Sequence, residues 1–190
     1  MDSRAEILNQ ENADNRGSEA DRLAALSRYR IIGTPPETAF DDLAMLAADL
    51  CGCASAAIVF NDGERQWVKA SIGNEDSSHG PDPMLCARAM GCSQPLIIPD
   101  LADDPLAKGL SGFFAAVALR SPEGLPLGML SVMDKQPRQL SERQLAHLQA
   151  LARQVMALLE LRCSHEYKEK DRHSDGVLGY AASVREAEER

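Results

Sequence analysis

Apolar residues recur along this chain with two different periods, and the changes of period mark its elements. Residues 1–18 carry no periodic apolar pattern and read as a flexible N-terminal arm. From Glu19, EADRLAALSRYRII places Leu23, Leu26 and Tyr29 on one helical face. TPPE, Thr34 to Glu37, has the form of a capping box with proline at the first helical position, so a new helix or turn is expected there. In FDDLAMLAADL, the spacing of Phe40, Leu43, Leu46 and Leu50 predicts the stripe of that helix, and Gly52 its end.

After Cys53 the period becomes that of strands. Ser55–Phe60 and Gln66–Ser71 flank Asp62-Gly63, a strong hairpin signal. IGNEDSSHGP is a polar loop. In DPMLCARAMGCSQPLIIPD, Asp82 is a good N-cap, Pro83 suits the first helical position and Gly91 the end, so Met84–Met90 should form about two helical turns. PLIIPD then reads as a short strand and LADDPLAKGL as a loop with room for one helical turn. FFAAVALR and LGMLSVMD are two further strands joined at SPEGLP. Leu140, Ser141 and Gln144 give a capping box with a hydrophobic staple to Leu145, opening a helix from Glu142 to about Arg162. Helices segregated from hairpin-linked strands predict an α+β fold with an antiparallel sheet. The βαβ alternation of a parallel sheet is absent.

Composition narrows the partners. The chain of 190 residues is 44% hydrophobic, enough for one packed domain, with a formal net charge of −9. That charge argues against a nucleic-acid surface, which needs clustered Lys and Arg. The longest apolar run, Phe113 to Leu119, is far short of the ~20 residues of a membrane span. The N-terminus lacks the pattern of a signal peptide. A cytoplasmic protein is therefore expected, with its five cysteines held as reduced thiols.

The ordered words RLAALSRYRIIGTPPETAFDDLAMLAADLCG, GERQWVKASIG, MLCARAM, PLIIPDLADDP, LGMLSVMD and LSERQLAHLQALARQVMALLELR resemble a GAF domain of the kind found N-terminal in bacterial sensor histidine kinases and diguanylate cyclases. They fall between residues 20 and 162. The resemblance implies a central antiparallel sheet of five or six strands, with the N- and C-terminal helices packed on one face. It also implies a small-molecule pocket on the other face, roofed by the short helix and loops, and many members that work by dimerising. The domains expected are an arm (1–18), the GAF domain (19–163) and a charged tail (164–190). This chain departs from its relatives between DLADDP and FFAAVAL, where only LAKGLSG remains of a longer roofing loop. That makes a shallower pocket the expectation. It also carries Val117 where relatives tend to have a smaller residue.

Five cysteines invite a redox or metal reading. Cys86 is the fourth residue of the short helix, where the family often has cysteine, and Cys92 lies just past its end. Free cysteine behaves as a small buried hydrophobe, so pocket lining is the simpler role. Cys51 and Cys53 form a C-G-C word without a second ligand pair, and His79, His147, His165 and His173 are scattered, so no metal site is expected. Free methionine-R-sulfoxide reductases share this fold, but they need cysteines that DDPLAKGLSG and IGNEDSSHGP do not supply. Bilin attachment uses a Cys-His word, and here Ala87 follows Cys86. No catalytic residue is assigned.

The candidate ligand-binding residues are Trp67, Cys86, Asp100, Phe113 and Phe114. Asp100 has the simpler role of a loop cap and Trp67 that of sheet packing. Phe113 and Phe114 alternate faces, so one of them is expected in the pocket. The 27 residues after Cys163 leave no room for an output domain. The expected function is a stand-alone, non-catalytic GAF sensory or regulatory module, a homodimer through its terminal helices that acts on a separate signalling output protein. No cofactor is indicated. The rivals are a cysteine-based redox sensor or reductase, and a GAF scaffold that only dimerises.

Overall fold

The computed structural model describes residues 19–73 and 80–164. The arm expected over 1–18, most of the loop after Ile72 and the tail beyond Ser164 lie outside the described residues. In chain order the elements are helix α1 (19–29), α2 (Thr38–Cys51), strands β1 (Ser55–Asn61) and β2 (Gln66–Ile72), helix α3 (Pro83–Gly91), strand β3 (Leu96–Ile98), a 3-10 turn (Leu101–Asp103), strands β4 (Phe113–Arg120) and β5 (Pro126–Asp134), and helix α4 (142–164). The strands form one five-stranded antiparallel sheet in the order β2-β1-β5-β4-β3.

Local chemistry sets the boundaries. The Asp62 carboxylate accepts from the amides of Arg65 (2.8 Å) and Glu64 (3.1 Å), which closes the β1–β2 turn and holds the Asp62 pKa below the usual carboxylate range. At the start of α4 the Ser141 hydroxyl accepts from the Gln144 amide, while the Gln144 side chain accepts from the Ser141 amide (3.0 Å), the reciprocal capping box. Gly52 closes α2 in the left-handed region at φ 64°, which favours glycine. In β5, a Cβ on Gly128 would lie 2.1 Å from the Val59 carbonyl oxygen, so the close approach of β1 requires glycine there.

Side chains alternate across the sheet. Ile58, Phe60, Phe113, Ala115, Leu130 and Val132 face α1, α2 and α4 in one large apolar cluster. Ala57, Val59, Phe114, Ala116 and Met129 face α3 and the loop that follows β3. The terminal helices thus share one face, and α3 covers the other.

Two expectations are corrected. The buried stripe of α2 is Phe40, Ala44, Ala47, Ala48 and Cys51, while Leu46 and Leu50 point outward, each 42% exposed. Small residues let α2 lie close against bulky strand residues such as Phe60 and Ile58, and the larger leucines are left outside. TPPE forms no capping box either. Glu37 sits at the N-cap of α2 without a side-chain cap bond, and Thr34 and Glu37 both bond Lys69 instead.

Candidate functional site

The face covered by α3 is built from its N-terminus upward. Asp82 caps α3 by accepting from the Met84 amide at 2.8 Å, with Pro83 at the first helical position. This phase turns Leu85, Cys86 and Ala89 down onto the sheet. Arg88 on the flank forks to both carboxylate oxygens of Asp104 at 3.0 Å, tying α3 to the loop behind the 3-10 turn. The Asp104 pKa is lowered, first by the Leu106 amide and then by Arg88. At the other end, Arg120 donates to the carbonyls of Cys92 (2.8 Å) and Met90 (3.2 Å). The short loop LAKGLSG still roofs the face. Leu101 and Ala107 are buried in the cluster, and the Leu101 amide donates to the Gly112 carbonyl at 2.7 Å.

Cys86 lies in this cluster at 1% exposure with Leu85, Phe114 and Met129. Burial pushes its thiol up to about 12, against the opposing pull of the Gln66 side chain, and the Asp82 carboxylate adds to the rise. The thiol lies 3.8 Å from the Pro81 carbonyl, its hydrogen-bond acceptor. Such a group is a wall atom, since the thiolate is the reactive form. Cys51 is likewise pushed up to about 11 by burial.

The five candidate residues do not converge. Cys86 and Phe114 meet in the α3-face cluster. Phe113 is in the cluster on the opposite face, and Trp67 pairs across the strands with Phe60, which also faces the terminal helices. Asp100 caps the 3-10 turn by accepting from the Ala102 amide at 3.0 Å. Among the described residues no group of three or more His, Cys, Asp or Glu could hold a metal ion.

Two of the molecule's concave regions bear on α3 and on the outer side of the helices. One, of about 460 Å³, opens beside the N-terminus of α3 and is lined by the β1–β2 turn, Gln66, Val68, Gly80, Pro81 and Pro83. Gln66 therefore lies between this cavity and Cys86. The other, of about 410 Å³, is a groove on the outer side of α2 and α4, lined by Ala39, Asp42, Leu43, Gln154, Ala157, Leu158 and Leu161. Leu46, Leu50 and Leu161 leave large apolar side chains exposed along these two helices. Sequence reasoning expected pairing through the terminal helices, α4 among them, but did not see the α2 half of this surface, because it read Phe40, Leu43, Leu46 and Leu50 as a single helical stripe. The alanines at 44, 47 and 48, spaced from Phe40 at helical intervals, were the signal that could have found it.

Comparison with known proteins agrees with this architecture. The family model for the GAF domain matches residues 35–159. A cyclic di-GMP phosphodiesterase of Pseudomonas aeruginosa is 30% identical over 158 residues, which cover 78% of this chain and 27% of that protein. The chain thus spans about a quarter of the length of this curated relative. The blue-light-absorbing form of the Thermosynechococcus elongatus PixJ GAF domain superposes with a TM-score of 0.55 at 17% identity, covering 83% of this chain and 95% of that one. A type II free methionine-R-sulfoxide reductase of Thermoplasma acidophilum superposes with a TM-score of 0.54 at 13% identity, covering 64% and 90%. These two likenesses concern the fold alone. Among the described residues no helix is long and apolar enough to cross a membrane.

Proposed function

Because this chain belongs to the GAF domain family, a family of signalling sensory modules, we propose that it is a non-catalytic regulatory module that pairs with a second copy through α2 and α4. The observation that carries this reading is the outer surface of those helices. Leu46 and Leu50 of α2 and Leu161 of α4 are exposed, and half-buried Leu43 and Leu158 line a groove between the two helices with Ala157 and Leu161. Two such helix pairs can close into a four-helix bundle about a two-fold axis. Charge favours a second copy as the occupant. α2 carries Asp41, Asp42 and Asp49 and no basic residue, while α4 offers exposed Arg143 and Arg153 beside the acidic Glu142 and Glu160. A two-fold arrangement that sets α2 of one copy against α4 of the other brings these opposite charges to the rim.

The absence of catalysis belongs to the same proposal. Its support is the buried Cys86, whose thiol is held neutral, in contrast to the accessible thiolate that reductase chemistry needs. The partner proposed is a signalling output protein that reads the state of the helix pair. The likeness to the cyclic di-GMP phosphodiesterase supports a place in signalling of that kind. The five cysteines are thiols rather than disulfides, which supports a reducing, cytoplasmic setting. Sedimentation velocity from 1 to 100 µM (roughly, within the usual range of specific affinities) tests the pairing. Wild type should pass from monomer to dimer, and Leu46→Asp should stay monomeric with its melting temperature kept. A wild type that is monomeric throughout would contradict the proposal.

A small-molecule role has one specific support, the cavity beside α3, whose size suits a compact ligand and whose lining includes the polar Gln66. A thermal-shift screen with cyclic nucleotides, nitrate and small acids tests it, because a ligand of the native state must stabilise that state. Stabilisation that Gln66→Leu removes supports this cavity. Stabilisation that Gln66→Leu leaves intact counts against it.

A further inference from the structure

Lys69 is the extra residue of a β-bulge. Ile58 pairs with Ala70 and Val59 with Val68, so Lys69 has no partner across the strands. Its side chain turns toward the helices and is 1% exposed. The ammonium donates to the Thr34 hydroxyl (2.8 Å), the Pro35 carbonyl (2.7 Å) and a Glu37 carboxylate oxygen (2.6 Å), one acceptor for each of its three protons. The Phe40 ring lies 5.2 Å from it. The same Glu37 oxygen accepts from the Arg162 guanidinium in the last turn of α4.

Burying a lysine is costly, and an apolar side chain of similar size often does as well for stability. A role in positioning explains its place better. Glu37 immediately precedes α2, and Arg162 follows Leu158 and Leu161 on α4. These residues stand where the N-terminal half of α2 meets the C-terminal end of α4, the stretch that lines the groove. On the strand side, Gln66 and Val68 on β2 line the cavity beside α3. The end of α4 is also tied to α1, with Tyr29 donating to Glu160 and the Cys163 thiol to the Arg28 carbonyl.

We infer that Lys69, Glu37 and Arg162 form a positioning relay that joins the bulge of β2 to the α2–α4 groove, so that the spacing of the pairing helices is set from the sheet. A displacement of β2 at the cavity would move Lys69, and through Glu37 the ends of both helices. The consequence for pairing rests on the proposed dimer. The relay itself stands on the contacts.

The test is residue-resolved amide exchange in wild type, Lys69→Met, Glu37→Gln and Arg162→Lys, with the dimer dissociation constant measured alongside. In Lys69→Met and Glu37→Gln, exchange over residues 158–164 should quicken at least about tenfold while β4 and β5 stay within about twofold, following the logic of local opening. Pairing should weaken about tenfold in the same two variants. Arg162→Lys keeps a cation on Glu37 and should retain protection. Unchanged exchange at the end of α4 in Glu37→Gln, or a rise spread equally over β4 and β5, would overturn the relay. Glu37 is half-buried, so its variant decides between these outcomes if Lys69→Met fails to fold. If wild type proves monomeric, the dimer proposal fails and the exchange pattern still decides the relay.

Discussion

The two outer layers of this domain treat apolar and reactive residues in opposite ways. Under α3, the Cys86 thiol is sealed among Leu85, Phe114 and Met129, and Leu101 of the 3-10 turn and Ala107 of the roofing loop close over it. Across the sheet, α2 presses a face of alanines onto the strands and turns Leu46 and Leu50 outward. The side chains that look chemical are structural, and the side chains that look structural are free to bind. The difference lies in packing distance. A helix lying close to bulky strand residues needs small side chains beneath it, and its large ones must go elsewhere.

The sharpest way to break that comparison is to remove one side chain from each layer. Phe114→Ala should cost about 3–5 kcal/mol in denaturant unfolding, the usual range for a fully buried phenylalanine. A loss near zero would mean that the α3 face is loosely filled and open to a ligand. The next test uses pH. Burial raises the Cys86 pKa to about 12 in the folded protein, whereas an exposed cysteine titrates near 8.5. Its contribution to stability is therefore complete below about pH 8.5 and is lost as pH rises from there toward the folded value. Between pH 9 and 10.5, wild type should lose up to about 1.4 kcal/mol per pH unit more than Cys86→Ala. Parallel slopes in the two proteins would show that Cys86 is accessible. Asp82→Ala, which removes the cap of α3, should cost about 1 kcal/mol. A negligible cost would mean that α3 is held by its packing alone. The smallest effect is expected at Leu46→Ala in dilute monomer, about 0.5 kcal/mol or less, as for exposed positions generally. A loss comparable to that of Phe114→Ala would return Leu46 to the core.

Much of the fold was legible in the sequence because its signals are local. Asp82-Pro83, Ser141 with Gln144, and Asp62-Gly63 each satisfy backbone groups within three residues, and each did so where expected. The strand β4 was legible to the residue from one apolar run. Phases that depend on a neighbour were harder. Nothing local says that α2 buries its alanines, since that follows from the bulk of β1 and β5. Likewise, TPPE has the spacing of a capping box, yet Thr34 and Glu37 serve a lysine 32 or more residues away. The candidate site was legible only in part. Cys86 and Phe114 met on one face, whereas Trp67 and Phe113 fell on the other.

The central claim is that the working surface of this domain is the outer face of α2 and α4. Methyl NMR over a dilution series reads it directly. Shifts and broadening that grow with concentration are expected at Ala39, Leu43, Leu46, Leu50, Ala157, Leu158 and Leu161, while Leu85, Ala89 and Leu101 stay unchanged. Changes centred on Leu85, Ala89 and Leu101, or none at any concentration, would contradict the account.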